Sequence, residues 1–353
     1  MALPPGVVHL LRRLRRWEFW PAWLFYLPLA PWIAWLALRH RGLTVPTAAN
    51  PAFPDGGFVG ESKHEILSRL PAEWVVPGAL LRGPEEVRLA QAREAMDRLG
   101  IRFPVVLKPD AGQRGAGVRI ARSIDDMGRY LALRPGPILL QAYHPGPHEA
   151  GVFYYRLPGE ARGRIFSITD KHFPALSGDG RRSIEELIRA DDRLCMQAGV
   201  FLRRHATAAA RVLAPGERMP LVMAGNHCQG AMFRDGAYLH TPALEARIDA
   251  IARQIDGFYF GRFDVRYRDV EAFRAGCDLS IVELNGMTSE STNVYDPSWS
   301  LLRAYGVLAR QWSICFRIGS ANRRRGHRPT PLGRLWRTAR AYYRDRPADL
   351  ASD

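Results

Sequence analysis

The chain is poor in cysteine, in lysine and in negative charge. Its four cysteines, Cys195, Cys228, Cys277 and Cys315, are widely spaced and form no Cys-x-x-Cys pair. That argues against a structural zinc site and points to a reducing compartment. Acidic residues number 35 against 50 lysines and arginines, a formal net charge of +15. An imbalance of this size calls for an anionic partner or surface, either nucleic acid or an anionic membrane. Nucleic-acid signatures are missing: there is no zinc finger, no aromatic RNP pattern and no basic zipper, so no nucleic-acid partner is expected. Arginine outnumbers lysine heavily, a bias that genome composition alone can produce. No Gly-x-x-x-x-Gly-Lys-Ser/Thr phosphate loop occurs, although Gly60 and Lys63 lie close together. No internal repeat is visible. The 353 residues suffice for a large core and roughly one to three domains.

What is present first is a long apolar run. Arg12, Arg13, Arg15 and Arg16 precede it, and Arg39, His40 and Arg41 close it. From Trp17 to Leu38 it is broken only by Glu18, and it carries Trp17, Trp20, Trp23, Trp32 and Trp35. The run is too long and too aromatic for a signal peptide, and no small-residue cleavage site follows. Roughly twenty apolar residues just span a bilayer. Pro21, Pro28 and Pro31 sit inside the run, so a kink or break near Pro28–Pro31 is expected. Basic flanks on both sides place both ends on the cytoplasmic side. A re-entrant hairpin turning at Pro28 and Pro31, or an interfacial helix, meets both conditions better than a straight span. Tryptophan suits the headgroup boundary. A buried helical hairpin or a protein contact is the alternative.

Residues 44–60, rich in Pro, Gly and Ala, read as a long irregular loop. Glu61-Ser62-Lys63 opens a short amphipathic helix to Leu70. Pro84 to Leu99 is a helix with proline in its first turn and Gly100 at its end. Phe103 to Pro109 is a short buried strand that ends in Lys108. Gly112, Gly115 and Gly117 follow, a loop whose backbone N–H groups can close on an anion beside that lysine. Most glycine loops are plain turns. Ile138 to Tyr143 is another apolar strand. Arg164 to Phe173 alternates as a strand, and Ser177 to Gly180 is a turn. Ser183-Ile184-Glu185-Glu186 is a capping box that opens a helix. His144 and His148 read as polar loop residues, since no further metal ligand sits at the right spacing. Pro242 to Ile255 and Pro297 to Arg310 are helices. From Arg317 to Arg346 arginines dominate, and Leu335, Trp336, Ala339, Tyr342 and Tyr343 interleave with Arg334, Arg337, Arg340 and Arg344. A basic amphipathic helix of this kind suits an anionic membrane face. A solvated tail or an RNA-attracting patch is the plainer alternative.

Two stretches carry the strongest chemical pattern. In Gly261-Arg262-Phe263-Asp264-Val265-Arg266, period-two alternation sets Asp264 and its arginines on one face. In Leu279 to Asn285, Glu283 and Asn285 share a face. Paired, the two strands bring together two carboxylates and an amide oxygen, hard ligands that suit a magnesium ion carried by a nucleotide. A solvated hairpin with ordinary charge alternation has the same pattern.

Those stretches resemble the metal-binding end of ATP-grasp ligases. Gly261-Arg262-Phe263-Asp264-Val265 is similar to the Gly-Arg-Ile-Asp-Val pattern of D-alanine–D-alanine ligases, and Gly286-Met287-Thr288-Ser289-Glu290-Ser291 to their Gly-Met-Thr-Ser-His-Ser substrate loop. Two departures stand out. The few residues that family has between Asn and Gly-Met-Thr are missing, and Glu290 replaces His. Lys108-Pro109 with the glycine loop resembles the flap that covers the phosphates. Gln141 to Tyr143, then Glu149, resembles the hinge that reads adenine and the Glu that binds ribose, with Gln141 in place of the usual acid. Gly178-Asp179-Gly180 before the capping box, and Asn226-His227 before Gln229-Gly230, resemble pieces of cyanophycin-synthetase-type ligases.

The resemblance implies an α+β, ATP-grasp fold of two subdomains clasping ATP, over residues 61–310. The membrane-associated segment 1–43 and the loop 44–60 precede it, and a basic amphipathic tail, 311–353, follows. It implies ATP and Mg²⁺ as cofactors. Nucleotide contacts would come from Lys63, Lys108, Gly112, Gly115, Gly117, Gln141, Glu149 and Lys171, the last at a phosphate. Asp264, Glu283 and Asn285 would hold the metal. Arg262 would face the tetrahedral intermediate, with Ser289 and Ser291 near the acceptor. The expected activity is ligation of a carboxylate to an amine or thiol through an acyl phosphate, at the cytoplasmic face of the cell membrane, on small or lipid-linked substrates. A kinase acting on a hydroxyl or carboxyl acceptor, or a non-catalytic nucleotide-binding scaffold, are the other readings.

Overall fold

The computed structural model describes residues 16–112, 116–222, 225 and 230–344. Gly115, the Asn226-His227 and Gln229 positions and the arginines at 12, 13 and 15 lie outside them. Among the described residues, eleven strands form three antiparallel sheets. In chain order they are β1 Gly78–Leu81, β2 Val105–Pro109, β3 Arg119–Ala121, β4 Ile138–Ala142, β5 His148–Tyr155, β6 Arg164–His172, β7 Ala175–Ser177, β8 Arg218–Pro220, β9 Met232–Asp235, β10 Phe260–Tyr267 and β11 Ser280–Asn285.

The first sheet has the order β1-β4-β2-β3. Helices Glu85–Leu99 and Ile124–Leu133 accompany it, and Ala92, Met127 and Leu131 share one core with Val105, Leu107 and Leu140. The second has the order β11-β10-β5-β6-β9. Its alternating Val152, Tyr154, Phe263 and Val265 pack with Leu244, Ile248 and Ile251 of helix Pro242–Ala252. The small sheet β7-β8 forms a third core with helix Ile184–Ala190, which opens on the expected capping box of Ser183 and Glu186. Antiparallel sheets with helices packed against them are the α+β arrangement that the resemblance implied.

Two stretches depart from expectation. Residues 44–60 are irregular but far from a loose loop. Asn50 is buried, its Nδ2 donates to the Phe260 carbonyl at 2.7 Å, and its Oδ1 accepts from the Tyr259 and Phe260 amides at 3.0 and 2.9 Å. One side chain thereby satisfies backbone groups at the start of β10 that would otherwise be buried without partners. The helix expected over Pro297–Arg310 begins at Leu301, capped by Ser300, and runs on to Arg324. Ile314, Cys315 and Ile318 pack against Phe153 and Phe260, so this helix closes the second face of the large sheet. Only Leu332–Arg344 is left as a separate basic amphipathic helix, and there Arg334 pairs with Asp55 at 3.1 Å.

The apolar run does not turn back at Pro28 and Pro31. Helix Ala22–Tyr26 passes through a 3-10 turn at Leu27–Leu29 into helix Ala30–Arg39. The hydrogen-bond pattern breaks there as expected, but Leu27 and Ala30 keep helical backbone angles. The reason is positional. Pro28 and Pro31 each occupy the first turn of a short helical piece, where the missing N–H has no intrahelical partner to lose. Among the described residues, Ala22–Arg39 is the one helix long and apolar enough to cross a membrane, by length and composition. One side of it lies on the long helix: Phe25 and Leu29 pack with Leu308, Leu36 packs with Phe316, and Trp32 Nε1 donates to the Ala309 carbonyl at 3.1 Å.

Candidate active site

The strand register builds the site. β10 pairs with β11 so that Asp264 faces Glu283 and Arg262 faces Asn285. β5 pairs with β10 on its other side, with Glu149 opposite Arg266, and with β6, with Glu149 opposite Lys171. Directly paired residues project to the same face of a sheet. Glu149, Lys171, Arg262, Asp264, Arg266 and Glu283 therefore collect on one surface, where a β-bulge follows Asp264.

Their contacts form a chain of charges. Arg262 grips Asp264 with two bonds, Nε to Oδ1 at 2.9 Å and Nη2 to Oδ2 at 3.0 Å. Lys171 Nζ lies 3.1 Å from Asp264 Oδ1 and 2.8 Å from Glu149 Oε1. Arg266 Nε donates to Glu149 Oε2 at 3.0 Å. These groups are buried, which alone would favour their neutral forms. The pairing outweighs it. Burial raises the Asp264 carboxyl, yet Arg262 and Lys171 pull it down to about 2. Burial likewise raises Glu149, but Lys171 and Arg266 hold it below the usual carboxylate range. Lys171 is pushed down by burial and lifted above its ordinary value by Asp264 and Glu149.

Lys108 is different. Its Nζ donates to the Val282 carbonyl at 3.0 Å, and burial brings it down to about 8 despite the attraction of Glu283. The chain's only lysines are Lys63, Lys108 and Lys171, and all three line one cavity of about 500 Å³. Gly112, Gln141, Glu149, Arg262, Asp264, Glu283, Asn285 and Ser289 line it too. Such a volume is that of a ligand site. Lys63 donates to the Gly112 carbonyl at 2.5 Å, and Gln141 Nε2 donates to the Val282 carbonyl at 3.4 Å. Gly225 sits against Glu149, where a Cβ would come within 2.0 Å of its carboxylate.

Not every expected residue arrives. Ser291 is fully buried, hydrogen-bonded to Ser167 at 2.5 Å and Asn293 at 2.8 Å, and is not part of the cavity wall. It braces the loop from inside. Gly117 lies just before Val118, which lines the cavity, and its carbonyl accepts from the Tyr130 hydroxyl at 2.6 Å. Arg266, Glu61 and four aromatic residues of the N-terminal run, Trp17, Trp20, Phe25 and Tyr26, line the cavity without having been singled out for it. Glu18, the single charge in that run, pairs with Arg193 at 3.3 Å.

The donor set suits Mg²⁺. Asp264, Glu283 and Asn285 offer hard oxygens, and Asn285 Nδ2 turns to Asp264 Oδ2 at 3.3 Å. Among the described residues no group of three His, Cys, Asp or Glu side chains forms a metal cage.

No family model and no curated protein matches the chain. Among solved structures it is similar to a bifunctional glutathione synthetase from Pasteurella multocida, at 13% identity and TM-score 0.36, over 70% of this chain and 35% of that one. It is similar to a D-alanine–D-alanine ligase from Bacillus anthracis, at 15% identity and TM-score 0.38, over 75% and 68%. A D-cycloserine synthetase aligns at 15% identity and TM-score 0.39, over 74% and 73%. The chain thus spans about a third of the length of the first.

Proposed function

We propose that the chain is an ATP-dependent ligase that joins a carboxylate to an amine through an acyl phosphate. One observation carries this reading. Every lysine, the Asp264–Glu283 pair and Arg262 line a single cavity of about 500 Å³. The sequence resemblance to ATP-grasp ligases supports the same conclusion.

Adenine would lie along Gln141–Tyr143 and ribose at Glu149, with Lys63 and Lys108 at the phosphates. Asp264, Glu283 and Asn285 would hold Mg²⁺, which when bound neutralises phosphate charge. A substrate carboxylate oxygen forms a bond to the γ-phosphorus as the bond to ADP breaks. The neutral amine nitrogen then bonds to the acyl carbon, phosphate leaves with the electron pair of the broken C–O bond, and the proton the amine gives up passes to solvent. Arg262, already fixed by Asp264, stands where charge develops on the tetrahedral centre.

The same reading places the enzyme on the cytoplasmic face of the cell membrane. Trp23 is 70% exposed, Leu38 80% and Trp336 59%, while Arg39 lies 5.2 Å over the Trp35 ring and Arg340 5.1 Å over the Trp336 ring. Exposed indoles with arginines beside them suit an anionic headgroup layer. A screen of ADP release with paired carboxylates and amines tests the activity. Turnover that needs both partners supports it. Turnover with a hydroxyl acceptor and no carboxylate would make it a kinase.

A further inference from the structure

A second cavity, of about 510 Å³, shares no lining residue with the first. It lies where the hairpin of β5 and β6 meets the long helix, and its wall includes Tyr155, Arg162, Arg164, Phe166, Glu245 and Arg310. Three guanidinium groups thus stand in one wall with one carboxylate. All three arginines are open to solvent, where a ligand can reach them. Among the described residues none of the three forms an ion pair with a carboxylate. Glu245 is engaged elsewhere: its Oε2 accepts from the Ile165 amide at 2.9 Å and lies 3.2 Å from His240 Nε2. Arg310 lies 5.6 Å over the Phe166 ring.

The backbone that carries Arg162 and Arg164 is held from behind by helix Pro242–Ala252. Asp249, one turn along that helix from Glu245, accepts from the Gly163 amide and the Tyr154 hydroxyl, both at 2.8 Å. Residues one turn apart share a helix face. Gly163 leaves no room for a side chain, since a Cβ would come within 2.2 Å of that hydroxyl. One helix therefore grips the amides of Gly163 and Ile165, and Arg164 stands between them, opposite Tyr155 in the strand register. The arginines are presented on a fixed backbone rather than on a loose turn. Arg310 comes from the long helix, next to Ala309, whose carbonyl accepts from Trp32. Guanidinium forks match phosphate oxygens two at a time. Tyr155 and Phe166, with ring centroids 6.3 Å apart, add apolar surface beside them.

We propose that this cavity is a second anion site, separate from the first, which binds the phosphate group of a phosphate ester. Lipid headgroups and soluble phosphate esters share that chemistry. The site does not depend on the ligase reading.

Two probes test it: glycerol 3-phosphate, and a short-chain phosphatidic acid below its micelle concentration, each titrated calorimetrically into the full chain. Arg164→Gln and Arg310→Gln should each weaken both probes at least about tenfold, as loss of one charge-assisted contact does. Arg164→Lys should restore only part of the affinity, since an ammonium lacks the planar fork. Circular dichroism and the thermal midpoint check that each variant is folded. Tighter binding of phosphatidic acid assigns the lipid source, and equal binding assigns the soluble one. No saturable binding to the wild-type chain, or affinities within about twofold of wild type in both glutamine variants, would overturn the site. Full affinity in Arg164→Lys would reduce it to ordinary surface charge and overturn it too.

Discussion

Asp264 and Glu283 stand directly opposite each other across β10 and β11, with Lys108 bonded to the carbonyl of the residue before Glu283. The pair is the point at which strand register becomes chemistry, since a one-residue slip would turn both carboxylates to the other face of the sheet. Glu283→Gln keeps shape and removes charge. It should lower Mg²⁺-dependent ADP release by about a hundredfold or more, since a charged ligand is exchanged for a neutral one. Binding of ATP without metal should persist. A variant that releases ADP at the wild-type rate would remove Glu283 from the metal set.

Arg262→Ala should act on rate more than on affinity. The side chain touches Asp264 and the Glu290 carbonyl. Loss of an interaction made mainly in the transition state lowers kcat by about a hundredfold or more while KM for ATP changes little. Steady-state kinetics separate the two. A wild-type kcat with a raised KM for ATP would place Arg262 at the nucleotide instead.

Lys171→Met removes the cation shared by Glu149 and Asp264, both buried. Breaking a buried ion pair from one side costs about 3–5 kcal/mol, because the remaining charges stay buried. Arg262 and Arg266 still hold those carboxylates, so the lower end is expected. Urea midpoints at constant slope measure it. A change below about 0.5 kcal/mol, ordinary for exposed sites, would contradict the burial of this pair.

The pH dependence of kcat/KM for ATP reports the free enzyme. Lys108 is brought down by burial to about 8. A phosphate contact needs its ammonium form, so kcat/KM should fall as pH rises through about 8. For stability the sign is the reverse. Between about 8 and the ordinary value of 10.5 the unfolded chain binds the extra proton, so this residue's contribution rises with pH across that window. Lys108→Arg should flatten the kinetic limb, since arginine keeps its charge. A limb unmoved by that substitution would belong to another group.

The chemistry of the large sheet was legible in the sequence because period-two alternation and strand pairing are local rules. Asp264, Glu283 and Asn285 needed only those rules to meet. Glu149 and Lys171, neighbours across β5 and β6, were suspected through resemblance, and register then joined them. Ser291 misled for the same reason. Its motif places it near the acceptor, but Gln311 of the long helix bonds its amide at 2.9 Å and turns the residue inward. Asn50 gave no local signal, since the strand start it braces, at Tyr259 and Phe260, is more than two hundred residues away. The N-terminal run was read for its hydrophobicity, and hydrophobicity is also what a buried cavity wall needs.

Anionic vesicles should recover the full chain by sedimentation, and neutral ones less of it. Trp23→Ser with Leu38→Ser should reduce the bound fraction without altering soluble-substrate turnover, since both side chains point outward. Equal binding to neutral and anionic vesicles would contradict a role for the basic faces.

The acyl phosphate is tested most directly by isotope transfer. Once a productive carboxylate is found, it is labelled with oxygen-18, and the phosphate released in turnover is weighed by mass spectrometry. Transfer of one label oxygen from carboxylate to phosphate in every turnover is the expected result. Unlabelled phosphate accompanying full amide formation would contradict the account.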